Sequence, residues 1–183
     1  MTANVQANKD EAVAVELRLD RLARLYNSLD PSPFKDKELD AAADEYIVGS
    51  AQELGGRPMR LVVLLSEPEL KLADAADIIA SIRGHFLWRA QVESRRLSSE
   101  LRRGRRSLAI GLVFLVVCLV VRQLIGTPET GPTHILREGL LIVGWVAMWG
   151  PIEIFLYAWW PIAGRRRLFE QLARTDVEVR PLK

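Results

Sequence analysis

One carboxyl group stands inside an apolar, aromatic stretch. In GWVAMWGPIEIFLYAWWPIAGRRR, residues 144–167, Glu153 follows Pro151 by two positions. On a helix, Trp149 lies four residues before Glu153 and Tyr157 four after, with Trp160 one turn further, so rings and carboxyl share a face. Gly150, three residues before Glu153, leaves room for the close approach of another helix. Pro151 has no N–H, so the carbonyl of Ala147 loses its helical partner and a kink is expected. A carboxylate in lipid costs at least about 2.5–3.5 kcal/mol on insertion scales. Three roles for Glu153 follow: a protonated carboxyl that hydrogen-bonds between helices, a group lining a pore or proton route in an oligomer, or a group facing a lipid defect or the headgroups. Glu153, Trp149, Tyr157 and Pro151 are therefore the intramembrane candidates.

The elements that position them are two apolar segments. Among the 183 residues the formal net charge is only +2, yet charge is sharply segregated. Residues 107–121 and 140–152 carry none. The first reads as a span over about 107–126 and the second over about 139–162, each long enough for a hydrocarbon core of about 30 Å. Arg122, near one end, can reach outward along its own stem. Glu153, seven residues before Trp160, is then expected about 10 Å inside the membrane. In the intervening RQLIGTPETGPTHILRE (122–138), two arginines balance two glutamates, and Pro128, Gly131 and Pro132 mark a turn.

The opposite flanks are strongly basic. SRRLSSELRRGRRS (94–107) has six arginines against one glutamate, and GRRRLFEQLAR (164–174) has four more. The positive-inside rule places both termini in the cytoplasm, with Trp159 and Trp160 at the inner interface. Arg102, Arg103, Arg105, Arg106, Arg165, Arg166 and Arg167 are expected to meet anionic headgroups rather than nucleic acid.

The remaining sequence reads as a small α/β domain. AVAVELRLD (12–20) alternates like a half-buried strand, and MRLVVLLS (59–66) reads as a compact apolar one. A helix is expected over about 37–54, with Leu39, Ala42, Tyr46, Ile47 and Leu54 as its stripe and Gly55-Gly56 as its stop. Residues 70–104 read as one or two helices leading into the first span. TDVEVRPL (175–182) alternates again and could add a third strand. DPSPF (30–34) is a rigid corner whose Asp30, Pro31, Pro33 and Phe34 are the candidates for protein recognition, Phe34 as an anchor.

Chemistry is sparse outside the apolar segments. No glycine-rich phosphate loop of the G-x-x-x-x-G-K-[ST] or G-x-G-x-x-G kind occurs, and no Cys/His cluster suggests zinc. Ser28, Ser32 and Ser66 have no histidine in a supporting position. Asp36, Asp40, Asp44 and Glu45 fit the positive end of a helix dipole. Cys118, the one cysteine, reads as a small filler facing lipid or another helix. No catalytic residue, metal ligand or cofactor is expected.

NSLDPSPF, MRLVVLLS and GWVAMWGPIEIFLYAWWPI together resemble an uncharacterised family of small bacterial inner-membrane proteins, from about residue 13 onward. That resemblance implies a bacterial source and carries no activity with it. Trp149-x-x-x-Glu153-x-x-x-Tyr157 is also similar to the pore helix of mitochondrial calcium uniporters. Gly150 stands where that signature has an acid and Ile154 where it has a proline, so the paired carboxylates that select calcium are missing.

The expected architecture is an α+β membrane protein: a transmembrane helical hairpin with a small cytoplasmic α/β domain of two to three strands and two helices. Residues 1–11 form a disordered lead, 12–104 the domain ending in a long basic helix, 105–164 the hairpin, and 165–183 a cytoplasmic tail. The expected role is that of a non-enzymatic scaffold, regulatory or assembly factor of the bacterial inner membrane, a homo-oligomer with an unidentified protein partner. The alternative is a channel or transporter component using Glu153.

Overall fold

A computed structural model describes residues 12–27, 38–72, 74–126 and 130–182. The lead and the DPSPF corner, with Asp30, Pro31, Pro33 and Phe34, lie outside the described residues. The chain is mostly helical, with a small parallel sheet. Its strands are β1 (Val13–Leu19), β2 (Met59–Leu65) and β3 (Asp176–Pro181). The helices are α1 (Ala41–Glu53), α2 (Glu67–Leu72), α3 (Ala75–Leu124), α4 (Pro132–Ala147), α5 (Trp149–Glu153) and α6 (Trp160–Arg174). Two compact units result. One joins the described residues up to Gln91 with those from Arg165 onward; the other is Val92–Gly164.

In the first unit the strand order is β1-β2-β3, all parallel, with Val15 beside Leu61 and Leu61 beside Val177. Crossovers between parallel strands are right-handed almost without exception. With the order running in one direction, both connections then lie on the same face. Accordingly Val15, Leu17, Leu61, Val63 and Val177 share one core with Ile47 of α1, Ile78, Ile82 and Phe86 of α3, and Phe169 and Leu172 of α6. The other face alternates out of that core. There Arg60 reaches Asp176 at 3.4 Å and Glu178 at 3.1 Å, and Val62 is buried between its register partners Glu16 and Glu178.

Three expectations change. Leu39, Ile47 and Leu54 meet the core as expected, but Ala42 and Tyr46 are exposed, because the face of α1 that packs on the sheet runs through Ala43, Ile47 and Ala51; Asp40 caps the helix, its side chain accepting from the Ala42 N–H at 3.0 Å. The tail is not merely basic: Leu168, Phe169, Leu172 and Ala173 form an amphipathic stripe, and α6 packs it into the core. More than two helices therefore serve the sheet. The alternation over 175–182 is realised as β3, whose pairing to β2 completes the sheet.

Phe86 is fully buried and stacks on Phe169 at 6.4 Å between ring centroids. Phe86→Ala should destabilise the first unit by about 3–5 kcal/mol, whereas truncating the exposed Trp88 should cost less than about 0.5 kcal/mol. Denaturant unfolding of the purified chain, followed by near-ultraviolet circular dichroism, measures both.

Candidate functional site

The second unit is built on a glycine seam. Gly104, Gly111 and Cys118 recur every seven residues on α3 and are all buried; Gly144 and Pro151, seven apart on the returning helices, are buried too. A seven-residue repeat keeps one stripe facing a partner along antiparallel helices. A Cβ on Gly111 would lie 3.0 Å from the Ala147 carbonyl oxygen, 3.2 Å from Met148 Sδ and 3.6 Å from Pro151 Cγ. The carbonyl that Pro151 leaves without its usual helical donor therefore faces Gly111, which has no side chain to repel it. At the two ends of the seam a Cβ on Gly104 would meet Ile154 Cγ2 at 2.7 Å, and one on Gly144 would meet Leu115 Cδ1 at 2.8 Å. Gly150, expected to provide the close approach, is exposed with nothing within 4 Å of its Cβ position.

The helix expected over 139–162 is segmented. It breaks at Met148, resumes as α5, and passes through a π-helical turn at Ile154–Ala158 before α6. The break falls within one turn before Pro151, where the missing N–H predicts a kink. In the widened turn the indole N–H of Trp159 donates to the Phe155 carbonyl at 2.8 Å.

Glu153 closes α5 immediately before the π turn, and its side chain is on the outside of the seam. Trp149 and Tyr157 are there too, 72% and 66% exposed, so the three do share an outward face. Their height along the hairpin is near its arginine-rich end. Because Gly104 lies against Ile154 and Phe155, Glu153 is level with the arginines at 102–106, not with the charge-free middle of α3. At the other end Arg122 Nη2 lies 3.5 Å and Arg137 Nη1 3.4 Å from the same Glu138 oxygen, Oε1. Charges thus bracket the apolar stretches 107–121 and 139–152 in register. The exposed side chains between the brackets include Ile110, Val113, Ile142 and Trp145.

Arg102, Arg103, Arg105 and Arg106 are exposed on α3, and Ser99, Arg102, Arg103, Arg106, Ser107 and Ile110 line a shallow groove. Arg165 and Arg167 are exposed at the start of the last basic run, and Arg166 bonds Glu170 at 2.8 Å.

The first unit holds a polar knot that the sequence did not reveal. His85 is partly buried on α3; its Nδ1 accepts from the Leu39 N–H at 3.4 Å, and its Nε2–H donates to Asp44 Oδ1 at 3.1 Å. Arg89 donates to the other Asp44 oxygen and lies over the Phe169 ring, 4.2 Å from its centroid. Burial alone would raise the Asp44 carboxyl, but the bonds from His85 and Arg89 outweigh it and hold it below the ordinary carboxylate value. Both His85 nitrogens are committed, so the ring is no general base in this arrangement. Ser81, one turn earlier, gives its proton to the Ile78 carbonyl and bonds the Tyr26 hydroxyl at 2.9 Å. Burial, with the Asp77 charge adding to it, raises the Tyr26 phenol despite that bond. The Asp44–His85–Arg89 cluster ties α1, α3 and α6 together instead of presenting a nucleophile. Only the spacing of Ser81, His85 and Arg89 at four residues hinted at it. Among the described residues no three His, Cys, Asp or Glu side chains gather to hold a metal.

No protein-family model, curated protein or solved structure matches this chain.

Two outcomes follow. Gly111→Leu should destabilise the second unit by about 1–3 kcal/mol by driving the helices apart, while Gly150→Leu should be tolerated; thermal loss of helical ellipticity distinguishes them. The Asp44 carboxyl, lowered on folding, stabilises fully above its unfolded value near 3.8 and loses that contribution as pH falls through its lower native value. The stability advantage of the unmodified chain over Asp44→Asn should therefore be constant above about pH 5 and shrink below about pH 4, read from unfolding midpoints across pH.

Proposed function

We propose that this chain is a two-span protein of the bacterial inner membrane, both termini cytoplasmic, acting as a non-enzymatic scaffold or assembly factor. One observation carries the membrane reading. The second unit has an aliphatic and aromatic exterior and an interior of Gly104, Gly111, Cys118, Gly144 and Pro151. A soluble hairpin would place its large apolar side chains inside; lipid is the solvent that favours the reverse. The two candidate helices, long and apolar enough to cross a membrane, each have only 11% of their most apolar window buried.

In this reading Glu153 meets the headgroup region, where the arginines of 102–106 and water meet its charge, and the cost of a carboxylate in lipid falls away. That depth favours an anchor over a channel whose ion-binding group is Glu153. The basic runs 102–106 and 165–167 lie against anionic lipid on the cytoplasmic side. The sheet unit, whose described residues offer knotted polar groups in place of a reactive cluster, serves as the interaction module. Copies associate through the outward face of Trp149, Glu153 and Tyr157. The likeness to uncharacterised bacterial inner-membrane proteins agrees with this role and adds no activity.

The test is topological. In a Cys118→Ala background, Lys71→Cys should react with a membrane-impermeant maleimide only after the cells are opened, and Thr133→Cys should react in intact spheroplasts. The unmodified chain should stay in the membrane pellet after alkaline carbonate. Release by carbonate, or labelling at position 71 from outside, would overturn the reading. Proteoliposomes should show no ion or proton flux above empty vesicles; flux abolished by Glu153→Gln would transfer the assignment to a channel.

A further inference from the structure

At the end of the hairpin away from the arginine-rich runs, the last turns of α3 and the first half of α4 enclose a cleft of about 370 Å³ lined by Leu119, Arg122, Gln123, Gly126 and Arg137. Among the described residues its charges do not balance. Arg122 and Arg137 both lean on one oxygen of Glu138, at 3.5 and 3.4 Å. Those are loose contacts beside the about 2.7–2.9 Å of a well-formed charge-assisted pair. Two guanidinium groups, their side chains only 29% and 21% exposed, thus share one carboxylate. The Nε atoms of both are buried and have no hydrogen-bond partner among the described residues.

The apolar band explains why a headgroup would come here. The charge-free stretches 107–121 and 139–152 lie in register and are about 22 Å long at about 1.5 Å per residue. A hydrocarbon core of about 30 Å exceeds that, so flanking side chains reach outward to the headgroups, or the bilayer thins and draws headgroups inward, at the ends of the band. Arg122 and Arg137 stand at one such end. A guanidinium presents a planar fork of N–H donors that matches two phosphate oxygens, and the Gln123 amide adds a further donor at the rim.

We propose that Arg122 and Arg137 form a phosphate-binding cleft whose occupant is the phosphate of a lipid headgroup. The proposal rests on the two-span reading above. Glu138 competes with the phosphate for the same guanidinium groups and sets how tightly it is held. Among the described residues the polar groups lining the cleft are Arg122, Gln123 and Arg137, with Glu138 against both guanidinium groups, so each arginine or glutamate replaced by glutamine changes the net charge there by one. This site differs from the groove around Arg102, Arg103 and Arg106, which is open along one helix and has no opposing element in its lining.

Native mass spectrometry of the full chain, released from vesicles of phosphatidylethanolamine and phosphatidylglycerol, counts the lipids retained. The unmodified protein should keep a bound phospholipid. Arg122→Gln with Arg137→Gln should lower its occupancy by about tenfold, the scale of one lost charge-assisted contact. Glu138→Gln should raise it, and Arg18→Gln with Arg24→Gln, on the exposed surface of the sheet unit, should leave it in place. A merely internal ion cluster predicts no rise for Glu138→Gln, since removing the carboxylate that the described residues give it creates no lipid site. If the double arginine variant does not fold, the Glu138→Gln result decides alone. Retention unchanged in the double variant, or reduced in Glu138→Gln, overturns the proposal. Inorganic phosphate added to delipidated protein in detergent separates the sources: failure to displace the retained lipid supports the headgroup, and displacement at millimolar phosphate overturns it in favour of the free ion. Flotation with the vesicles tests the two-span reading separately. A chain that floats while its arginine variants keep their lipid refutes the cleft alone; a chain that does not float refutes the membrane reading.

Discussion

β2 and β3 lie side by side and parallel, although residues 66–175 separate them in the chain. Parallel neighbours cannot be joined by a tight turn, so the chain must leave one end of the sheet and return to the other. In most small folds a single helix does this. Here the connection runs out along α3 and back along α4, α5 and α6. What holds the outgoing and returning helices together is close backbone approach, concentrated where Gly111 meets the Ala147 carbonyl and Pro151. A side chain at Gly111 would press on backbone, which cannot rotate away as the end of a leucine can. The seven-residue recurrence of small side chains continues that constraint along the seam.

Pro151 joins two consequences of the same covalent feature. Its ring removes one N–H from the helix ladder, and the helix responds with a break at Met148 and a π turn at Ile154–Ala158. The break turns the Ala147 carbonyl to Gly111, and the disturbed segment carries Glu153 on its outer side. The carboxyl group is thus not held between the helices. Its position level with the 102–106 arginines accounts for a charge within a sequence that otherwise reads as an unbroken apolar span. Polar groups in the sheet unit obey the same economy. Asp44 is tolerated in a half-buried site because His85 and Arg89 both donate to it, and His85 is tolerated because Leu39 and Asp44 occupy both of its nitrogens.

Several elements were legible before any coordinates. The alternation of Val13, Val15, Leu17 and Leu19, and of Val177 and Val179, announces strands because a sheet repeats every two residues. The apolar runs announce the two long helices by length and composition, and Pro151 announces the disturbance. Less legible was α6, whose arginines obscured the stripe of Phe169 and Leu172. The glycine seam was also missed, although Gly104, Gly111 and Cys118 are evenly spaced. Spacing shows that small residues share a face without showing what that face meets, and Gly150, the glycine beside Pro151, meets nothing. The DPSPF corner lies outside the described residues and gains no structural account.

By itself, then, the sequence determined what local periodicity and side-chain chemistry determine: which segments are strands or helices, which stretches exclude charge, and where proline breaks a ladder. Only the tertiary structure decided register. It put Glu153 level with arginines about fifty residues earlier, brought Arg122 and Arg137 to one carboxylate, and closed His85 onto Asp44 across forty-one positions. The physical reason is that burial and charge pairing act between residues that meet in space. Their energies depend on how two helices interlock, and that is set by packing volumes along the whole seam, not by any one segment.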